Sequence, residues 1–259
     1  MNRFANGVLL CFALSCTDAA VAQDLSQADA YSRRNTFTLF AEYSNTSSHI
    51  LLGDSRQREL TDFGGAYTRR LIRFRGSDFS YQAEVRPVLF ESDPIDIETD
   101  VFTVDYPAPI GPVTSTQVEV IAPPGKCIAF SGSYSSPPTS GEPTATASYN
   151  TVCGRQWTFG QAFSPLGFKY SLRTHHAVQP FMVGTLGYMY TSRPVPIAEA
   201  ESFNFIFNFG FGVELFRSAL KKRSVSLECR LNHFSNRDTA QANPGTDNVL
   251  YKVSYSFGR

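Results

Sequence analysis

The stretch Glu201–Phe216, ESFNFIFNFGFGVELF, decides the fold. Phe203, Phe205, Phe207, Phe209, Phe211, Val213 and Leu215 share one face of an extended chain, while Asn204, Ile206, Asn208, Gly210, Gly212 and Glu214 share the other. Side chains alternate between the two faces of a strand, so this period of two predicts a long β-strand with one strongly apolar face. A soluble sandwich could bury such a face. Three features favour a membrane barrel instead. The opposite face is small and polar, as the interior of a narrow barrel requires. The strands are long, and a tilted strand needs roughly 9–11 residues to cross a bilayer. Their number is even, as in a closed antiparallel barrel.

The rest of the chain agrees. Eight segments read as strands: Thr36–Ser44, Glu59–Phe74, Phe79–Glu91, Gln156–Thr174, Val178–Thr191, Ser202–Phe216, Ser224–His233 and Asn248–Phe257. They predict an all-β, eight-stranded antiparallel transmembrane β-barrel. No run reaches the roughly 18 apolar residues of a spanning helix. Lys+Arg and Asp+Glu are balanced at 23 each in 259 residues, which argues against a nucleic-acid partner. Aromatics make up 14% of the chain and charged residues only 18%, consistent with an outer face that meets lipid.

With the N-terminus in the periplasm, the connections sort by side. The turns at Arg75–Asp78, His175–Ala177 and Arg217–Arg223 fall inside and are short. Those at Asn45–Arg58, Ser92–Arg155, Ser192–Glu201 and Phe234–Asp247 fall outside and are mostly longer. This asymmetry is the one expected of outer-membrane barrels. The region 92–155 is rich in Pro, Ser, Thr and Gly and reads as one long extracellular loop, with some β structure around TSTQVEVIAP. It is short of apolar residues for a core of its own.

At the N-terminus, Arg3, the apolar run Val8–Cys16 and Ala20-Val21-Ala22 read as a secretory signal peptide over residues 1–22, with the barrel over 23–259. Export places the chain in an oxidising compartment, where Cys127 and Cys153 could form a disulfide around the Ser/Pro/Thr-rich stretch. No Cys or His spacing suggests a metal, and no cofactor is expected. His175-His176 sits at a turn with its side chains pointing opposite ways, and reads as solvated.

The chemistry concentrates in Cys229–Arg259, CRLNHFSNRDTAQANPGTDNVLYKVSYSFGR. By parity Ser224, Ser226, Glu228, Arg230 and Asn232 face inward, and Glu228 and Arg230 should join a polar network that closes the barrel to water. His233 and Ser235 continue the outward set, as does Asp247 when Val249, Tyr251, Val253, Tyr255 and Phe257 are extended backward. If Ser235 pairs across from Asp247, His233 lies opposite Val249 and touches Asp247 along the diagonal. Nucleophile, base and orienting acid then stand in the order that serine esterases require. Asn243 and the backbone N–H groups of the Ser235–Asn236 turn are candidate oxyanion donors.

RLNHFSN, followed by NPGTDN and a closing strand, resembles the lipid A deacylase (PagL-like) family of outer-membrane barrels. The resemblance implies an eight-stranded barrel in the bacterial outer membrane with a Ser-His-acid site on its lipid-facing surface. It implies hydrolysis of the ester joining a 3-hydroxyacyl chain to the 3-position of lipid A, so lipopolysaccharide in the outer leaflet becomes the expected partner. The family's histidine falls on His233, its serine on Ser235, its oxyanion asparagine on Asn243 and its acid on Asp247. The acid is usually glutamate. Aspartate is one methylene shorter, so the hairpin must hold it closer, or another acid such as Asp238 must serve. Two rival readings remain: a non-enzymatic small barrel whose long outer loop binds a ligand or partner, and a different outer-membrane lipid hydrolase.

Overall fold

The structure, a computed structural model, describes residues 31–137, 142–218 and 223–259. The signal-peptide reading at 1–22 lies outside these residues, as does most of the Arg217–Arg223 turn. Ten strands are present among them, in chain order: β1 (Asn35–Ser44), β2 (Glu59–Phe74), β3 (Ser77–Tyr106), β4 (Gly111–Ile121), β5 (Phe130–Ser135), β6 (Thr144–Leu172), β7 (Val178–Val195), β8 (Glu201–Ser218), β9 (Arg223–Ser235) and β10 (Thr246–Gly258). All pairings between strands are antiparallel. β1 pairs with both β2 and β10, and β3 pairs with both β2 and β6, so β1, β2, β3, β6, β7, β8, β9 and β10 form a closed eight-stranded ring. Closure leaves none of these eight without two neighbours, which removes the exposed edges of an open sheet.

Alternation sets what each face carries. On β8, Asn204, Ile206, Asn208 and Gly210 are buried, while Phe203, Phe205, Phe207 and Phe211 are exposed. On β9, Ser224, Ser226, Glu228, Arg230 and Asn232 are buried as their parity requires. The apolar side chains therefore lie on the outside of the ring, the inverse of a soluble protein.

The interior is filled in layers. Midway along the ring, the Arg230 guanidinium meets Glu42 at 3.1 Å, Glu84 at 3.0 Å and Glu228 at 2.6 Å. Lys252 meets the same Glu42 and Glu84 at 3.1 and 2.8 Å. Arg86 closes the group on Glu84, Glu42 and Asp62. Nearer the end with the long connections, called the outer end here, Leu60, Leu89, Ala162, Met189, Val195, Ile206, Phe234 and Leu250 form a small apolar plug. At the opposite end Glu214 pairs with Lys169 at 2.7 Å and with Arg33.

The region 92–155 is more ordered than a loop. β3 and β6 run on past the ring, paired from Ser92↔Trp157 to Asp105↔Thr144. β4 adds to the flank of β3 and β5 to the flank of β6, giving a four-stranded extension. Cys127 and Cys153 form a disulfide that ties the chain leaving β4 to β6.

Arg58 fastens this extension to the ring. It is fully buried. Its guanidinium donates to Asp93 Oδ1 and to the carbonyls of Arg56, Pro123, Pro124, Gly125 and Pro196. An arginine's five donors suit such a multi-carbonyl socket; a lysine's three do not.

Removing one partner from a buried ionic group leaves the others uncompensated. Arg230→Ala should therefore lower the melting temperature in detergent micelles, at a cost of about 3–5 kcal/mol. Val253→Ala, on the exposed outer face, should shift it little. Equal melting of Arg230→Ala and the parent chain would show that the ring does not depend on the charged layer.

Candidate active site

β9 and β10 bring the predicted residues together, but in a different register from the one expected. Asp247 pairs directly across from His233, and Val249 from Leu231. The two-residue shift replaces a diagonal contact with a direct one. His233 Nδ1 and Asp247 Oδ1 are 2.6 Å apart. Directly opposed residues stand closer than diagonal ones, so the shorter aspartate reaches the ring without help. Asp238 accepts a hydrogen bond from Asn243 Nδ2, and among the described residues the carboxylate bonded to His233 is that of Asp247.

The second oxygen of Asp247 has an unforeseen partner. The backbone N–H groups of Ile50, Leu51, Leu52 and Gly53 all donate to Oδ2, at 2.5–3.1 Å. Convergent N–H donors favour the ionised form of a carboxylate. They also fix its orientation toward His233. The β1–β2 connection is held there along its length. Ser48 N–H donates to the Asp247 carbonyl, Asp54 N–H to that of Pro244 and Ser55 N–H to that of Gly245. Ser47 Oγ spans the base of the turn to the Ser55 carbonyl. The approach is tight enough to need glycine: a Cβ on Gly53 would lie 2.5 Å from Asp247 N. Gly245, with φ of 57°, occupies the left-handed region that glycine favours and packs beside the His233 ring.

Asp247 is only 1% exposed despite its outward parity, because this turn covers it. His233 remains half-buried. With Nδ1 taken by the carboxylate, Nε2 is the atom that can accept a proton from a nucleophile, which is the division of roles in a Ser-His-acid system.

Ser235 ends β9 on the same outward parity as His233, pairing with Phe205 of β8. Among the described residues its hydroxyl makes no hydrogen bond to His233. Asn236 organises the turn that follows. Its N–H donates to Asn243 Oδ1, its Nδ2 to the Ala242 carbonyl, and its Oδ1 accepts from Asp238 N–H. Those bonds engage the Asn236 N–H expected as an oxyanion donor. Among the described residues, Asn243 Nδ2 is committed only to the exposed contact with Asp238, which water can replace. Of the two candidates, Asn243 Nδ2 is the donor less firmly engaged.

The missed element is the Ile50–Gly53 turn. Its donors are backbone groups and leave no residue signature. The available signal was a run of aliphatics closed by glycine, HILLG, inside an otherwise polar connection.

A closed eight-stranded ring with an acid–histidine pair on its outer face defines an outer-membrane barrel with a candidate hydrolytic site. The family model "Lipid A 3-O-deacylase (PagL)" matches residues 130–256, which include His233, Ser235, Asn243 and Asp247. The chain is a PagL-like outer-membrane protein. Among solved structures, it is similar to that of the outer membrane enzyme PagL, at 12% identity and a TM-score of 0.47, covering 86% of this chain and 99% of that one. It is also similar to the outer membrane protein OprG from Pseudomonas aeruginosa, at 9% identity and a TM-score of 0.35, covering 89% and 99%. No curated protein matches the chain.

The nest around Oδ2 makes two predictions about whichever reaction the pair supports. Asp247→Glu adds a methylene where four N–H groups already close on the carboxylate, and should lower activity at least about tenfold, because an off-line base costs rate steeply. Gly53→Ala should lift the turn from β10 and reduce activity in the same direction. Full activity in both variants, read as turnover of an ester substrate, would show that the turn does not seat the acid.

Proposed function

We propose that the chain is an outer-membrane esterase that hydrolyses the ester-linked 3-hydroxyacyl chain at the 3-position of lipid A. The observation that carries this reading is the His233–Asp247 pair: a buried carboxylate holding an imidazole on the outer face of the ring, two residues from a serine of the same parity. The match of the deacylase family model over these residues supports it.

The reaction runs as acyl transfer. The substrate's acyl chains lie against the apolar outer wall, beside Phe205 and Phe207 of β8. Ser235 Oγ turns to His233 Nε2 and attacks the ester carbonyl as Nε2 takes its proton. Asp247 keeps the proton of Nδ1 in place and stabilises the imidazolium. Asn243 Nδ2, released from Asp238, donates to the developing oxyanion. The bond between the acyl carbon and the sugar's 3-oxygen breaks, and His233 returns the proton to that oxygen as it departs as the 3-hydroxyl. Water then attacks the acyl-enzyme with His233 as base, releasing a 3-hydroxy fatty acid and free Ser235. The active site in this scheme faces the outer leaflet, where lipid A resides.

Mass spectrometry of lipid A after expression of the chain in a bacterial host tests the reading. The intact chain should remove one 3-hydroxyacyl group, and Ser235→Ala and His233→Ala should remove none while still melting as folded barrels. Asp247→Asn should slow the reaction by roughly 10³–10⁴-fold, the scale seen when a triad acid loses its charge. Unaltered lipid A with a folded intact chain would sink the reading in favour of a binding barrel. Loss of phospholipid acyl chains instead would make it a different lipid hydrolase.

A further inference from the structure

The Ile50–Gly53 turn presents two different faces. Its four N–H groups point to Asp247 Oδ2. Its side chains point elsewhere: Leu51 is 43% exposed and Leu52 75% exposed. The surrounding connection is polar, with Ser47, Ser48 and His49 before the turn and Asp54, Ser55 and Arg56 after it. Two adjacent exposed leucines on an aqueous loop have no solvation advantage.

The position of the turn follows from the register. Asp247 has outward parity, opposite to the inward Asn248, Leu250 and Lys252. Backbone groups that reach its carboxylate must therefore lie on the outside of the ring. Gly53 confirms the contact, since a Cβ there would meet the backbone of Thr246 and Asp247 within 3 Å. The turn lies on the outer side of the ring, with Gly53 and His233 both close to Gly245. Tyr43 and Tyr251, paired across β1 and β10, are exposed on that wall, as is Phe207 of β8, which pairs with His233.

We propose that Leu51 and Leu52 are acyl-chain contacts of the active site, so that one turn both seats the catalytic acid and grips the hydrocarbon of the lipid substrate. The occupant is an acyl chain of a membrane lipid, because the leucines extend an apolar wall and carry no hydrogen-bonding group of their own. An acyl chain packed on Leu51 and Leu52 presses the turn toward β10, on the side where its N–H groups hold Asp247. Specificity for long-chain esters over short ones then arises at the same element that positions the acid. The inference rests on the esterase reading and deepens it.

The test uses the full-length barrel in mixed micelles with 3-hydroxyacyl esters of increasing chain length, together with lipid A in phospholipid vesicles. For the intact chain, kcat/KM should rise with acyl length. In the double variant Leu51→Asn, Leu52→Asn, which retains every backbone N–H, that rise should flatten, and the ratio of lipid A to short-ester kcat/KM should fall tenfold or more, mainly through KM. The double variant Leu51→Met, Leu52→Met should restore most of the ratio. A parallel fall on short and long esters would mean that the leucines serve only to shape the turn, and would overturn the proposal; so would an unchanged ratio. An intact chain that hydrolyses neither ester nor lipid A would instead refute the esterase reading, and this inference with it.

Discussion

The group of charges around Arg230 is the constraint from which the rest follows. Five side chains from four strands, Glu42 of β1, Glu84 of β3, Glu228 and Arg230 of β9 and Lys252 of β10, meet inside the ring. A one-residue slip of any of these strands would turn its charge to the outside and its apolar residues inward. The network therefore fixes parity around the ring. Parity in turn assigns His233, Ser235 and Asp247 to the outer face. An interior built this way is dense with ionic pairs whose desolvation is costly, so its contribution is better described as register than as net stability.

Much of this was legible in the sequence because a membrane barrel writes its geometry at period two. The ESFNFIFNFGFGVELF strand and the inward Glu228 and Arg230 are direct readings of that period. The extension formed by β3, β4, β5 and β6 was not legible to the same degree. Beyond the ring neither face packs on a filled core, so its strands carry Thr, Ser and single aliphatics on both sides, as in TATASYNTV, and the alternation fades. Its order comes from long pairing with the ring strands, from the Cys127–Cys153 disulfide and from the Arg58 socket, all of which join residues distant in sequence.

The site shows the same division. Outward parity of the three residues was readable, but the register of the β9–β10 hairpin was not. The chain between those strands contains Arg237 and Asp238 at positive φ and Gly245 at φ of 57°, and the bonds from Asn236 to Asp238, Ala242 and Asn243 fold it into a compact turn. That geometry slides Asp247 opposite His233. The backbone nest was out of reach for a different reason. Four N–H groups are present in any four residues other than proline, and only the fold decides where they converge.

The nest also resolves a conflict of requirements at Asp247. In the proposed esterase reading, the acid that orients the base must sit on the outer wall, where an unpaired carboxylate is expensive. Facing it inward would satisfy its charge but remove it from His233. The fold keeps it outward and covers it with a turn whose donors supply the solvation that lipid cannot. One oxygen is occupied by the turn and the other by the imidazole, so the carboxylate is solvated by protein, and among the described residues its one side-chain hydrogen-bond partner is His233. This arrangement explains how aspartate can stand where glutamate is usual. Direct opposition across the hairpin supplies the reach, the turn supplies the donors, and an additional methylene would have nowhere to go.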